Sequence, residues 1–264
     1  MTTVTAPTHG GLRWQAADAL VMARRNLLRY VRLPQLLVFA TVQPIMFVVL
    51  FAYVFGGAID IPGVDYLDFL LPGILVQTVI FGSTQTGLGL ADDLGSGAID
   101  RFRSLPMARS AVLAGRTLAD TGRTAATVLL IAGVGAVLGF RIHTGLLPAL
   151  AGVAVALLFG HAFSWVSATI GLLAKDPETA QVAGTIWMFP VVFASSAFVP
   201  VDTMPTWLQT FAAHQPITVT VDALRALVLG GPTAAAVLQS LAWSSGILAV
   251  FVPLAIARYR RLER

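Results

Sequence analysis

Five uncharged, predominantly apolar runs constrain this chain more than any other feature: Leu36–Phe55, Phe69–Ala91, Leu146–Leu173, Thr179–Val201 and Val237–Ala257. A helix that crosses a bilayer needs about 20 such residues. A sixth and shorter run, Thr124–Phe140, follows Arg123, whose long side chain is expected to snorkel to the interface. Hydrophobic residues make up 56% of the 264 and charged residues 11%, where a soluble domain carries about 25% charged. No core of this size could hide so much apolar surface, so the chain reads as an all-α integral membrane protein. The expected architecture is six transmembrane helices in one domain, residues 1–264.

The placement of the basic residues, 16 Arg and Lys175, sets the expected orientation. With the N-terminus inside, 15 of the 17 fall in cytoplasmic segments, and only Arg141 and Arg225 fall outside. A seventh crossing through residues 203–221 would carry the Arg-rich C-terminus outside and spoil this asymmetry. That stretch holds Pro205, His214, Gln215 and Pro216, so residues 202–231 are expected to form an extracellular re-entrant segment between spans five and six. Trp207, Leu208 and Phe211 would anchor it at the interface, and Asp222 and Arg225, three apart, could pair. Its second helix should stop at Gly230–Gly231–Pro232. Residues 12–33 are expected to lie along the cytoplasmic interface. Asp18, Arg25, Arg29 and Arg32 share one helical face there, and Ala16, Leu20, Ala23, Leu27 and Val31 lie opposite. No positive region followed by a short apolar core begins the chain, so no cleaved signal is expected.

Several chemistries are disfavoured. The chain has no Cys, which removes disulfides, thiolate metal sites and cysteine nucleophiles. Its one Lys is followed by Asp176 and Pro177, so there is no phosphate-binding loop for ATP. Basic clusters interleaved with exposed aromatics are missing, which speaks against nucleic acid. The apolar runs hold no Asp, Glu, Lys or Arg, which weakens an ion-coupled transporter or channel without removing it. Asp92–Asp93 could hold a divalent metal in a membrane-embedded transferase, but no second acidic cluster faces it. Ser96 has no nearby His to activate it, and His161, beside Ser164, reads as a hydrogen-bonded packing residue. The i, i+4 spacing of Gly160, Ser164 and Ala168, and of Ser167 and Gly171, suits close helix approach. Gln77, Thr78, Ser83 and Gln85 make the second span the most polar, either as helix glue or as a wall of a translocation path. Pro44, Pro72 and Pro190 could kink their helices.

The segment between spans two and three is the most informative. It runs from the acidic Asp92–Asp93 through Gly95-Ser96-Gly97 to Asp100-Arg101-Phe102-Arg103-Ser104-Leu105-Pro106-Met107-Ala108-Arg109. Arg116, Asp120 and Arg123 follow on one face and are expected to give the next helix a charged cytoplasmic side. On pattern alone this could be a solvated topogenic loop. The run Gly97-Ala98-Ile99-Asp100-Arg101-Phe102-Arg103-Ser104-Leu105-Pro106-Met107, however, resembles the first intracellular loop of type-2 ABC exporter permeases, and within them the daunorubicin/doxorubicin-resistance branch. Gly139-Phe140-Arg141-Ile142-His143, Lys175-Asp176-Pro177-Glu178, Gln215-Pro216-Ile217 and Ala223-Leu224-Arg225-Ala226-Leu227 resemble further signatures of that family. One departure is Asp92–Asp93, where many members of the wider superfamily carry the longer Glu.

The resemblance implies a half-transporter that acts as a homodimer in the cell membrane and pairs with two copies of a separate ABC ATP-binding subunit. It implies that ATP and Mg bind to that partner, with no cofactor and no catalysis on this chain. The cargo would be a hydrophobic or amphipathic drug, lipid or glycolipid. Residues 92–123 would be the coupling region, contacting the ATPase through Asp92, Asp93, Gly97, Arg101, Phe102, Arg103, Leu105, Pro106 and Arg109. Gln77, Thr78, Ser83 and Gln85 are the candidate substrate path.

Overall fold

The computed structural model describes residues 12–32, 34–57, 59, 61, 63–97 and 109–262, and all regular structure among them is helical. The elements are α1 (Leu12–Arg32), α2 (Pro34–Leu50, continued by a π-helical turn at Phe51–Phe55), α3 (Tyr66–Gly95), α4 (Arg109–Leu138) and α5 (Leu146–Leu173). After them come α6 (Pro177–Thr185), α7 (Met188–Phe193), α8 (Thr206–His214), α9 (Pro216–Leu229) and α10 (Thr233–Leu262). Four helices, α3, α4, α5 and α10, are long and apolar enough to cross a membrane, and Ala40–Phe55 is a shorter apolar helix.

The central helix is α3. Its most apolar window is 78% buried by the rest of the protein, against 17% for α10, so α3 is the hub and α10 turns most of its surface outward. Its main partner is α5, and glycine makes that contact possible. A Cβ on Gly87 would strike the carbonyl of Ser167, and one on Gly171 would strike the carbonyl of Gly87. Nearby, Gly160 lies under Val79, and the hydroxyls of Ser83 and Ser167 meet at 3.3 Å. The small-residue spacing in α5 is thus a packing device, as expected from sequence. Leu70, Leu71, Ile74, Ile80 and Phe159 fill the core at the other end of this pair.

The helix α1 lies against α4, where Gly115 admits Ala19 and Met22. Met22 and Ala23 are buried, but Leu20, Val21 and Leu28 are exposed. The apolar arc is therefore wider than one face, with one part on α4 and another turned outward. The side chains of Arg13, Arg29, Arg32, Ala16 and Val31 lie outside the described residues.

The structure corrects three expectations. Thr179–Val201 is not one helix, because it breaks at Ile186–Trp187 between α6 and α7 and ends in turns after Phe193. Pro190 explains the break, since it cannot donate to the carbonyl of Ile186 and its ring crowds that oxygen. Pro44 and Pro72, by contrast, sit inside helices that continue past them. Second, the helix containing Thr124–Phe140 begins at Arg109, so Arg116, Asp120 and Arg123 lie well inside it. Third, these three do not form a solvated face and Arg123 does not snorkel: all are buried, Arg123 at 4% exposure.

At the end of α3 marked by Tyr66, the segment 202–231 is tied down by Arg225 of α9. Its Nε donates to the carbonyl of Phe69 at 3.0 Å, its Nη2 to the carbonyl of Ser196 at 2.6 Å, and its Nη1 pairs with Asp222 at 3.2 Å. The guanidinium carbon lies 3.4 Å from the centre of the Phe69 ring, a cation–π contact. Pro216 opens α9, and Gly230 ends it at φ +104°, a conformation that glycine adopts without strain. Trp207 of α8 is exposed, as an interfacial anchor would be.

Gly171→Val should destabilise the protein by more than the ~1–3 kcal/mol of ordinary overpacking, because the obstacle is backbone that cannot move aside. Gly133→Ala, which meets open space, should be neutral or slightly stabilising. Thermal unfolding of the detergent-purified variants checks the pair; equal midpoints would contradict the α3–α5 contact.

Candidate functional site

A cavity of about 660 Å³ lies between α3 and α4, closed by α2 on one side and by α6 and α7 on the other. One stripe of α3 forms its back wall: Gln77, Thr78, Phe81, Gln85, Leu88 and Asp92, which recur at helical spacing. From Gln77 to Asp92 the stripe covers 16 residues, about 22 Å along the axis. The facing side of α4 contributes Arg116, Arg123, Thr124 and Thr127. From α6 and α7 come Pro177, Gln181, Thr185 and Phe189, and from α2 come Ala40, Gln43 and Pro44. Phe81 and Phe189 touch across it with ring centres 4.9 Å apart.

The wall of α6 is set by the motif Lys175-Asp176-Pro177-Glu178. Asp176 caps the helix by accepting from the backbone N–H of Thr179 at 2.7 Å and from its hydroxyl at 3.0 Å. Pro177 occupies the first turn, where its fixed φ suits a helix start and its missing N–H costs nothing. The two bonds from Thr179, the backbone one first, hold the Asp176 carboxyl below the usual carboxylate range.

At the end of the cavity near Asp92 stands a chain of alternating charge. Arg116 Nη1 donates to Asp93 Oδ2 at 2.8 Å, and its Nε lies 3.8 Å from Asp120 Oδ2. Arg123 Nε is 4.0 Å from Asp120 Oδ1, and its Nη2 donates to the carbonyl of Gly82 at 2.9 Å. Thr86 completes the set by donating to Asp120 Oδ2 at 2.7 Å. Desolvating an ion costs several kcal/mol, which only close partners and hydrogen bonds offset. The network therefore fixes α3 and α4 to each other from mid-helix, at Gly82 and Arg123, toward the ends that residues 98–108 connect in sequence.

The candidate coupling residues divide accordingly. Asp92 lines the cavity mouth and is exposed, while Asp93 turns to Arg116 within the protein. Gly97 follows α3 at φ +69°. Arg109 begins α4, with its side chain outside the described residues. Arg101, Phe102, Arg103, Leu105 and Pro106 also lie outside them. Of the candidate path residues, Gln77, Thr78 and Gln85 come together on the cavity wall. Ser83 does not: it donates to the carbonyl of Ile80 at 2.6 Å and faces Ser167 on α5, so it belongs to the helix contact. Sequence reasoning missed Arg116, Asp120 and Arg123 as a buried set, although their i, i+4, i+7 spacing already placed them on one face.

His161 is a packing residue by geometry. Trp165 Nε1 can only donate and lies 3.2 Å from His161 Nε2, so Nε2 accepts and the neutral ring carries its proton on Nδ1. That nitrogen is 2.9 Å from Thr121 Oγ1, whose own proton goes to the carbonyl of Thr117. Both nitrogens are satisfied without a charge. Among the described residues no three His, Asp or Glu stand together as metal ligands would.

A multi-pass helical protein, with a polar cavity reaching from mid-helix to a charged end, is a membrane transport subunit in its architecture. The chain belongs to the ABC-2 type transporter family, which matches residues 18–229. It is 35% identical to the daunorubicin resistance ABC transporter permease protein DrrB1 of Streptomyces coeruleorubidus, over 89% of this chain and 83% of that one. To a Mycobacterium tuberculosis protein named probable doxorubicin resistance ABC transporter permease protein DrrC it is 34% identical, over 93% and 89%. To Nodulation protein J of Rhizobium leguminosarum bv. viciae it is 26% identical, over 92% and 90%. The chain is thus a permease subunit and not the ATPase, which is a separate ATP-binding partner.

Removing Arg123 leaves Asp120 short of a counter-charge in a buried place. Arg123→Leu should cost about 3–5 kcal/mol, whereas Asp93→Asn, at the network's more open edge and still able to accept from Arg116, should cost about 1 kcal/mol. Thermal unfolding in detergent should rank them in that order; the reverse order would contradict the burial described.

Proposed function

We propose that this chain is the membrane half of an ATP-driven exporter that moves an amphipathic compound outward across the cell membrane. Two copies would pair with two ATP-binding subunits, which hold ATP and Mg. The names of the relatives support a drug of the daunorubicin and doxorubicin type as a cargo class. The observation that carries the reading is the cavity beside a charged network at the joint of α3 and α4. A push on residues 98–108 would reach that joint directly, and the joint shares Arg116 and Arg123 with the cavity wall. Asp92, Gly97, Arg101, Phe102, Arg103, Leu105, Pro106 and Arg109 would form the surface that receives the push, with Asp93 bracing it against α4. ATP closure of the partner would then shift the permease pair between inward- and outward-open states.

Assembly tests this most directly. Phe102→Ala removes an aromatic anchor, expected to cost about 2 kcal/mol of interface energy or more, while leaving insertion intact because the basic residues of the segment remain. The variant should reach the membrane but lose its ATPase partner in co-purification, or keep the partner and lose transport. Wild-type assembly and transport would reduce the segment to a turn.

Six spans with both termini cytoplasmic complete the proposal, supported by the 15-to-2 distribution of basic residues. In this scheme α6 and α7 together make span five, and α8 and α9 stay on the outer side. The absence of native Cys suits labelling in intact cells. A Cys at Asp65, Arg141 or Thr206 should react with an impermeant reagent, and one at Arg103 or Glu263 should not; labelling at Glu263 would sink the topology.

A further inference from the structure

Three walls of the cavity carry polar side chains whose hydrogen-bonding capacity is unused. Gln77 of α3 lines the cavity at 4% exposure, its Oε1 is buried without a partner, and its amide N–H groups donate to nothing. Thr185 of α6 has a buried hydroxyl with no partner either. On α4 the hydroxyl of Thr124 accepts a long contact of 3.5 Å from Arg123 Nη2, and its own proton goes to no acceptor. Each wall therefore presents a group that can both give and take a hydrogen bond. Buried polar groups left in this state are rare, and each is costly unless something else satisfies it. Charge, in contrast, is already matched. Arg116 Nη1 is bound to Asp93 and Arg123 lies beside Asp120, while Asp92 stands exposed at the mouth. Four of the nine Gln in the chain line this one cavity, Gln43, Gln77, Gln85 and Gln181. Its free polarity is thus carried by amides and hydroxyls.

We propose that this cavity binds an uncharged polyhydroxyl group, as in a glycosyl unit, carried on an amphipathic ligand. The inference rests on the reading of the chain as an exporter subunit and narrows its ligand. A hydroxyl offers a donor and two lone pairs on one atom, so it answers Gln77, Thr124 and Thr185 alike. Hydroxyls spaced around a ring can face three walls at once, whereas a single amide presents its donor and acceptor along one edge. An ammonium brings donors alone and a sulfate acceptors alone, and either would bury a charge where the counter-charges are already taken. The apolar part of the ligand packs on the Phe81–Phe189 pair, and the volume of about 660 Å³ is within the usual range for small-molecule sites. A site built to pair with hydroxyls strongly rejects the analogue lacking them, because its own polar groups are then left unpaired.

The test is binding of chain-matched probes to the full-length protein in phosphatidylcholine nanodiscs, with an environment-sensitive fluorophore on Gln181→Cys at the exposed rim. Affinities are referred to the probe concentration in the bilayer, measured with empty nanodiscs. Dodecyl glucoside should bind at least tenfold tighter than its tetra-O-methyl ether, dodecanamide, dodecylammonium and dodecyl sulfate. Gln77→Leu and the shape-conserving Thr185→Val should each weaken the glucoside threefold or more and leave the methyl ether unchanged. Neither should lower the thermal midpoint, since each removes an unpartnered polar group. No binding of the glucoside, a preference below tenfold over any of the other four probes, or one that survives in both variants overturns the proposal. A lowered midpoint in both variants overturns it too, because the two groups would then be holding the fold. Co-purification of the same labelled protein with its ATPase separates the two levels. Intact assembly without the glucoside preference defeats only the ligand inference, and failed assembly defeats the exporter reading beneath it.

Discussion

Charge inside an otherwise apolar bundle is the constraint around which this protein is arranged. Arg116, Asp120 and Arg123 sit within α4 at 8%, 2% and 4% exposure, and α3 supplies what keeps them there: Asp93, the hydroxyl of Thr86 and the carbonyl of Gly82. None of these groups is stable in that place without the others. The network thereby locks the relative position of two helices that are joined by the segment expected to meet the ATPase. It also supplies one end of the cavity, where Arg116 and Arg123 are part of the wall.

The rest of the fold holds this joint in a frame. Close glycine contacts fix α3 to α5, and the Arg225 cluster fixes its far end to α9 and to the turn around Ser196. Against this frame the wall made by α6 and α7 is interrupted at Ile186–Trp187, and Gln181, Thr185 and Phe189 lie on either side of the break. A broken helix moves at its break more readily than a continuous one, because the backbone bond lost to Pro190 does not have to be broken again. The interrupted wall of the cavity thus faces the continuous helix α3.

Much of this was legible in the sequence. Apolar runs gave the helical membrane class, small residues at i+4 marked the α5 contact, and Gly230–Gly231 ended α9 where expected. Asp222 and Arg225 pair as their spacing allowed. Resemblance carried what periodicity could not, namely the dependence on a separate ATPase. Two things were hidden for physical reasons. Helical spacing placed Arg116, Asp120 and Arg123 on one face but is silent on which way that face turns, and only the complementary groups on α3 decide it. Similarly, Ser83 and Gln85 are both polar and two residues apart, yet helix rotation sends one to the α5 contact and the other to the cavity. Thr179–Val201 has the composition of a span, and Pro190 carried the warning that its helix would break.

The central claim is that ATP binding by the partner reshapes this cavity. Pulsed electron paramagnetic resonance between spin labels on Gln85→Cys and Gln181→Cys, two exposed residues on opposite walls, measures it directly. Labelled permease diluted with unlabelled copies isolates the distance within one subunit. The account predicts that the distance distribution shifts when the assembled partner binds ATP, and returns after hydrolysis. An identical distribution with and without ATP, in a complex that still hydrolyses it, would contradict the account.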